Sequence, residues 1–154
     1  MSFKHLLTVL LLLGVLGLVL FLPSLIDNPS HPRDETLSYP ECNLNKGVCT
    51  YSSLLYGDMS ITVLQNEFPA LEPLKVALTS DSTVIKSVVV SIDGKDMFMG
   101  INQAVLTQSG SDGRWEGVIT IPVCTVDADM AWVFSITLKG LETERLVFNI
   151  KSKH

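Results

Sequence analysis

An uncharged apolar run near the start of the chain most limits what this sequence can fold into. Residues 6–26 read LLTVLLLLGVLGLVLFLPSLI and contain no Asp, Glu, Lys or Arg. A helix rises about 1.5 Å per residue, so this run is long enough to span the roughly 30 Å hydrocarbon layer of a bilayer. The run therefore predicts one N-terminal transmembrane helix.

A cleaved secretory signal is the alternative interpretation of the run. The apolar part of such a signal is usually about 7 to 15 residues long and ends in a small-x-small cleavage site. This run is longer, and residues 23–30, PSLIDNPS, contain no Ala-x-Ala pattern. We therefore expect the helix to be retained as an anchor in membrane lipid.

The charges around the run predict its orientation. Lys4 precedes it, whereas Arg33 beyond it is offset by neighbouring acidic residues. Because the more positive flank stays in the cytoplasm, residues 1–5 are predicted to be a cytoplasmic flank, with the rest of the chain on the other side. In a bacterial inner membrane this single-pass topology places the C-terminal domain in the periplasm.

The remaining chain divides into a tether and one domain. Residues 27–40, DNPSHPRDETLSYP, are rich in Pro, Ser and charge and show no apolar period, which predicts an extended tether. Residues 41–154 then carry short runs rich in β-branched residues, separated by turn signals at the spacing of a β-sandwich. The predicted strands are 48–52, 59–64, 74–79, 85–92, 96–101, 104–107, 114–121, 130–138 and 145–151.

Turn residues and alternation predict how these strands pair. Asp93-Gly94 is typical of a two-residue hairpin loop and predicts that 88–92 and 95–101 are antiparallel neighbours. Alternation places Trp132, Phe134 and Ile136 on one buried face, and Leu146, Phe148 and Ile150 on another. The sequence thus predicts an all-β, immunoglobulin-like antiparallel β-sandwich after the helix.

The histidine and charge content argues against most enzymes and against nucleic-acid binding. His5, His31 and His154 all lie outside the predicted strands, so no Ser-His-Asp or Cys-His pair and no His-based zinc site is expected. The net charge of −5 comes without a basic stripe that would neutralise phosphates. We therefore expect a protein that is not an enzyme and has no nucleic-acid partner.

Three cysteines lie in the part predicted to be outside the cytoplasm, where thiols tend to pair. Cys42 and Cys49 enclose a short turn containing Gly47, and this local disulfide is the favoured pairing. Pairing of Cys124 with either of the other two remains open. A redox-active dithiol at 42 and 49 is disfavoured, because it lacks Cys-x-x-Cys spacing and a helix start.

Two methionines suggest a soft metal site. In Asp96-Met97-Phe98-Met99-Gly100, the period of a strand would place both thioethers on one face, about 7 Å apart at the backbone. Soft sulfur ligands select Cu(I), and Cys124 is the expected third ligand, with Met130 or Cys49 as further donors. The alternative is that both methionines only fill the core.

Three segments of this chain resemble the FixH and YtkA-like immunoglobulin-fold proteins. They are DGKDMFMGIN at 93–102, GRWEG at 113–117 and MAW at 130–132. The resemblance extends over roughly residues 57–150. It implies a membrane-anchored accessory protein that handles Cu(I) during maturation of a copper-containing terminal oxidase. The implied partners are an integral membrane complex or a copper chaperone.

A second function fits the same sequence without a metal. An anchored sandwich can bind another protein of the cell envelope through a sheet edge or a loop. The sequence therefore leaves two hypotheses, copper handling and a metal-free protein–protein interaction module.

Overall fold

The computed structural model describes residues 3–26, 35–65, 68–110, 112–123 and 131–153. The chain divides into two compact units, Met1–Arg33 and Asp34–His154.

The first unit contains helix α1, Phe3–Ile26. Its described leucine side chains, between Leu7 and Leu18, are all exposed. Within the described ranges, no helix qualifies as a candidate membrane span. The transmembrane anchor at 6–26 stays a prediction.

The described part of the second unit is all-β, with ten strands and one short 3₁₀ turn, Leu44–Lys46. The strands are β1 Glu35–Ser38, β2 Val48–Ser53, β3 Gly57–Val63, β4 Phe68–Pro69, β5 Pro73–Ser80, β6 Ser87–Gly94, β7 Gln103–Ser109, β8 Arg114–Thr120, β9 Ala131–Lys139 and β10 Thr143–Lys153. Eight of the nine predicted strands correspond to strands in this set.

Nine strands form one continuous curled sheet in the order β1-β10-β9-β6-β7-β8-β5-β3-β2, and β4 pairs beside β10. Strand β7 connects the two arms of this sheet. Its first half pairs with β6, from Gln103 to Leu106, and its second half pairs with β8, from Thr107 to Ser109. The pairs along the sheet are antiparallel except that of β1 with β10, which is parallel, as is the pairing of β4 with β10.

The core lies on the inner face of the curled sheet, as the period of two predicts. Both predicted alternating sets are buried: Trp132, Phe134 and Ile136 on β9, and Leu146, Phe148 and Ile150 on β10. The other arm contributes buried side chains from β3, β5 and β8: Met59, Ile61, Val63, Leu74, Val76, Leu78, Trp115 and Ile119. The result is a β-sandwich-like arrangement with one shared core.

The hairpin predicted at Asp93-Gly94 is wrong, as is the strand predicted at 96–101. Strand β6 continues through Asp93 and Gly94 because these residues pair with Val133 and Trp132 of β9. The chain turns over 95–102 instead, where Gly100 has a φ of 85°. The Asp93-Gly94 turn signal is local to the dipeptide, whereas the length of β6 is set by its pairing with β9.

The C-terminal end of the predicted tether also differs from expectation. Glu35–Ser38 forms β1, which pairs in parallel with Thr143–Leu146 of β10. Its sequence, ETLS, has little strand character, so tertiary pairing with the β10 edge decides its conformation.

Candidate functional site

The loop at residues 95–102, between β6 and β7, is fixed at both ends. At its start the Lys95 amide donates to the carbonyl of Ala131, with an N–O distance of 3.0 Å. At its end the Ile92 amide donates to the carbonyl of Asn102 at 2.9 Å. The Asn102 side-chain amide also donates to the carbonyl of Thr120, at 2.6 Å. The loop therefore has a defined backbone path.

This loop exposes apolar side chains beside the charged residues Lys95 and Asp96. Met97 is 46% exposed, Phe98 79% and Ile101 82%. Met99 faces the other way and packs against the hydrophobic core. Met99 thus adds a third attachment in the middle of the loop, while its neighbours are left in solvent.

A second exposed apolar side chain belongs to the same end of the sheet. Leu71 is 69% exposed and has a φ of 63°, a left-handed conformation that costs a non-glycine residue roughly 1–2 kcal/mol. The Leu71 amide donates to the carbonyl of Ile121. The preceding carbonyl, that of Thr120, accepts the hydrogen bond from the Asn102 side chain. Strain of this kind persists where the surrounding structure imposes it.

The structure places the predicted copper ligands as follows. Met97 and Met99 share a loop rather than one face of a strand, with Met97 exposed and Met99 partly buried. Cys124 and Met130 lie outside the described residues. Cys49 is buried and bonded to Cys42, so its thiolate is not available as a ligand. The Cu(I) site stays a prediction, with Met97, Met99 and Cys124 as its ligands.

The described residues contain no group of three or more His, Cys, Asp or Glu side chains arranged to hold a metal ion. A site built from methionine thioethers would need none of these side chains.

The favoured disulfide is present between Cys42 and Cys49, with a Cα–Cα distance of 5.5 Å. The turn it encloses is built locally. The Asn43 side chain accepts a hydrogen bond from the Asn45 amide at 2.9 Å, and Gly47, with a φ of 87°, donates its amide to the carbonyl of Leu44. The disulfide holds the segment that precedes β2 against the core.

A buried carboxylate is the main polar feature that the sequence analysis missed. Glu144 on β10 is only 2% exposed, and three hydroxyl groups donate to it. Ser38 of β1 and Tyr51 of β2 donate to Oε1 at 2.8 and 3.0 Å, and Ser53 of β2 donates to Oε2. Glu144 thereby joins strands from both edges of the curled sheet.

A signal for this carboxylate was available in the alternation of β10. Glu144 has the same parity as Leu146, Phe148 and Ile150, so a period of two places it on the buried face. A carboxylate on that face needs hydrogen-bond donors, and nearby Ser and Tyr hydroxyls on other strands supply them.

The pKa values of two tyrosines next to this cluster are raised. Burial raises the pKa of Tyr51; the hydrogen bond with Ser38 lowers it by less, and the Glu144 carboxylate raises it further. Burial also raises the pKa of Tyr56, whose hydroxyl donates to the backbone carbonyl of Glu142. Both phenols therefore stay protonated and act as donors at neutral pH.

Comparisons with known proteins do not assign this chain to a family. No family model matches it, and no curated protein matches it. A solved structure, Cwp6 from Clostridium difficile, is 14% identical, covers 62% of this chain and 17% of its own, and has a TM-score of 0.45. That similarity is too small to assign a fold or a function.

Proposed function

We propose that this protein is a membrane-anchored extracytoplasmic module that binds a partner protein through the 95–102 loop. The observation that carries the proposal is the exposure of Phe98 and Ile101 on a loop whose backbone is fixed at both ends. The domain is held near envelope complexes by its anchor and needs no metal for this role.

The composition of the loop supports protein binding. Aromatic residues and methionine are enriched in the cores of protein interfaces, and a few such side chains usually dominate the affinity. Full burial of a side chain such as Phe98 contributes about 1.5–3 kcal/mol relative to exposure. Because the loop is already ordered, little conformational entropy is lost when a partner covers it.

Helix α1 supports the anchor. Its 24 residues correspond to roughly 36 Å at about 1.5 Å per residue, and no charged residue occurs from Leu6 to Ile26. A helix that is apolar all round is typical of a buried or membrane-spanning segment.

The Cys42–Cys49 disulfide supports a location outside the cytoplasm, because disulfides persist in oxidising compartments and are rare where glutathione keeps thiols reduced. With Lys4 before the helix, the positive-inside rule favours a periplasmic domain in a bacterial inner membrane.

The strand order supports an immunoglobulin-like relationship for the domain. In that fold strands A, B and E lie in one sheet and C, F and G in the other, with D beside E. Assigning β3, β5, β6, β7, β8, β9 and β10 as A to G reproduces these neighbours. Here β7, in the D position, also pairs with β6 in the C position, which closes one side of the sandwich.

The experiment combines crosslinking in membranes with a binding measurement. A photo-crosslinking amino acid replaces Phe98 in the full chain expressed in its host, and the captured protein is purified. We expect the double change Phe98→Ser and Ile101→Ser to weaken binding to that protein about tenfold or more. Val118→Ser is the matched control, because Val118 is also apolar and half exposed but lies on β8. Equal affinity for the double variant and the native chain would overturn the proposal.

A further inference from the structure

Two hairpin tips present leucines to solvent. The β2–β3 tip, residues 54–56, carries Leu54 at 105% exposure and Leu55 at 36%. The β9–β10 tip, residues 140–142, carries Leu141 at 74%. Tight turns usually carry polar or glycine residues, so leucine at both tips requires an explanation.

These tips form one surface. The Tyr56 hydroxyl of the first tip donates to the carbonyl of Glu142 in the second. Gly140 lies so close to Tyr56 that an added Cβ would come within 2.9 Å of the tyrosine Oη. We call the surface made by Leu54, Leu55 and Leu141 the leucine end.

The leucine end is also where the chain enters the domain. Glu35, the first residue of β1, pairs with Thr143, which follows the β9–β10 tip directly. The 95–102 loop lies at the opposite end of the strands, where Gly94 pairs with Trp132 and Trp132 with Ile150. The two exposed apolar surfaces therefore lie at opposite ends of the domain.

We infer that the leucine end inserts into the lipid surface of the membrane. The inference rests on the proposed function, because it takes residues 6–26 as the membrane anchor. Only residues 27–34 separate Ile26 from Glu35, and an extended chain covers at most about 3.6 Å per residue, or about 30 Å here. A short tether of this kind holds the leucine end at high effective concentration at the bilayer.

The charges near the leucine end indicate which lipids it fits. Lys139 and Glu142 lie on either side of Gly140 and Leu141, so charges of both signs flank the tip. The contact is therefore driven by apolar side chains entering the boundary between headgroups and acyl chains, a depth of about 5–10 Å. It does not require anionic lipid.

Tryptophan placed at the tips reports this contact. The full chain is reconstituted in phosphatidylcholine vesicles, with or without bromine on the acyl chains, as native protein and as Leu54→Trp, Leu141→Trp and Phe98→Trp. The native Trp115 and Trp132 are 7% and 1% exposed, so they provide a buried baseline. We expect brominated lipid to reduce the fluorescence of the tryptophan introduced at 54 or 141 at least about twofold, because these side chains would lie at an interfacial depth. The fluorescence of the tryptophan introduced at 98 should not change.

The outcomes separate this inference from the proposed function. If no quenching occurs at 54 and 141, the lipid contact is overturned while the partner-binding loop stands. Equal quenching at 98 would overturn a contact specific to the leucine end and would also count against the partner-binding loop, because Phe98 would then lie in lipid. Release of the chain from vesicles by alkaline carbonate would overturn the anchor and, with it, this inference. Quenching confined to positions 54 and 141 supports it.

Discussion

The hydroxyl of Ser38 on β1 lies 2.8 Å from Oε1 of Glu144 on β10 and donates a hydrogen bond to it. Ser38 is the last residue of the strand through which the chain enters the domain, and Glu144 is the one charged residue that is buried in the part of the chain that the structure describes. Through Glu144, this contact and those of Tyr51 and Ser53 join the entering strand, at one edge of the curled sheet, to β2 at the other edge.

Glu144→Gln is expected to lower the free energy of unfolding by about 1–3 kcal/mol, the cost of leaving a buried polar group without a partner. Ser53 Oγ already accepts from the amides of Leu55 and Tyr56, at 3.0 and 3.1 Å, so it has no lone pair for a glutamine NH₂ donor. Urea unfolding of a fragment beginning at Asp34, the start of the second unit, measures the loss. Glu142→Gln, at an exposed side chain, is the control and should change stability by less than about 0.5 kcal/mol. Equal stabilities for the two variants would show that the carboxylate is dispensable.

Stability is expected to fall with rising pH in the alkaline range. Burial raises the pKa of Tyr51 and of Tyr56 in the folded state, so above the unfolded value of about 10 the unfolded chain releases its phenolic protons first. The stabilising contribution is therefore complete below about pH 10 and is lost as the pH rises towards the folded pKa values. Thermal unfolding from pH 8 to 11 measures the slope. The slope of stability against pH should flatten in the double variant Tyr51→Phe, Tyr56→Phe. It should persist in the control Tyr39→Phe, because the Tyr39 ring is exposed.

Reduction of the Cys42–Cys49 bond is expected to cost about 2–3 kcal/mol. The bond closes a loop with a sequence separation of 7, and the chain-entropy estimate for such a loop gives about 2.5 kcal/mol. Urea unfolding with and without a reductant measures the loss, and Cys124→Ser should leave it unchanged. Thiol titration of the unfolded, unreduced chain provides an independent check: three cysteines, of which two are paired, leave one free thiol. Three free thiols would contradict the pairing.

Replacement of both loop methionines separates copper handling from the metal-free function. Because Met97 is exposed and Met99 packs against the core, we expect Met97→Leu with Met99→Leu to leave the affinity for Cu(I) unchanged. Leucine conserves volume, so stability should change by less than about 1.5 kcal/mol. Cu(I) titration of the full chain, with Cys124→Ser as the comparison, makes the test. A large loss of Cu(I) affinity in the double leucine variant would instead support the copper-handling hypothesis.

Sequence reasoning recovered the features that depend on local pattern. Strands such as β9 and β10 followed from alternation, because large apolar residues recur at every second position: Trp132, Phe134 and Ile136 on β9, and Leu146, Phe148 and Ile150 on β10. The Cys42–Cys49 pair followed from a short turn that contains glycine. These signals need only a few neighbouring residues.

Features that depend on distant partners were missed. The length of β6 past Asp93-Gly94 depends on β9, and β1 forms only because β10 offers an open edge. Glu144 was overlooked because its donors are 91 to 106 residues away in sequence. The strand predicted at 96–101 would place Phe98 on a strand face, whereas the 95–102 loop leaves its ring exposed.

The division of β7 between two neighbours has a consequence for how the domain comes apart. Shifting a strand by one residue turns all its side chains to the opposite face, and β7 sets the alignment of β6 and β8 at once. An error in this one strand would misalign both arms of the sheet. We therefore expect opening of one arm to loosen the other at β7, rather than leaving it intact as a separate cooperative block.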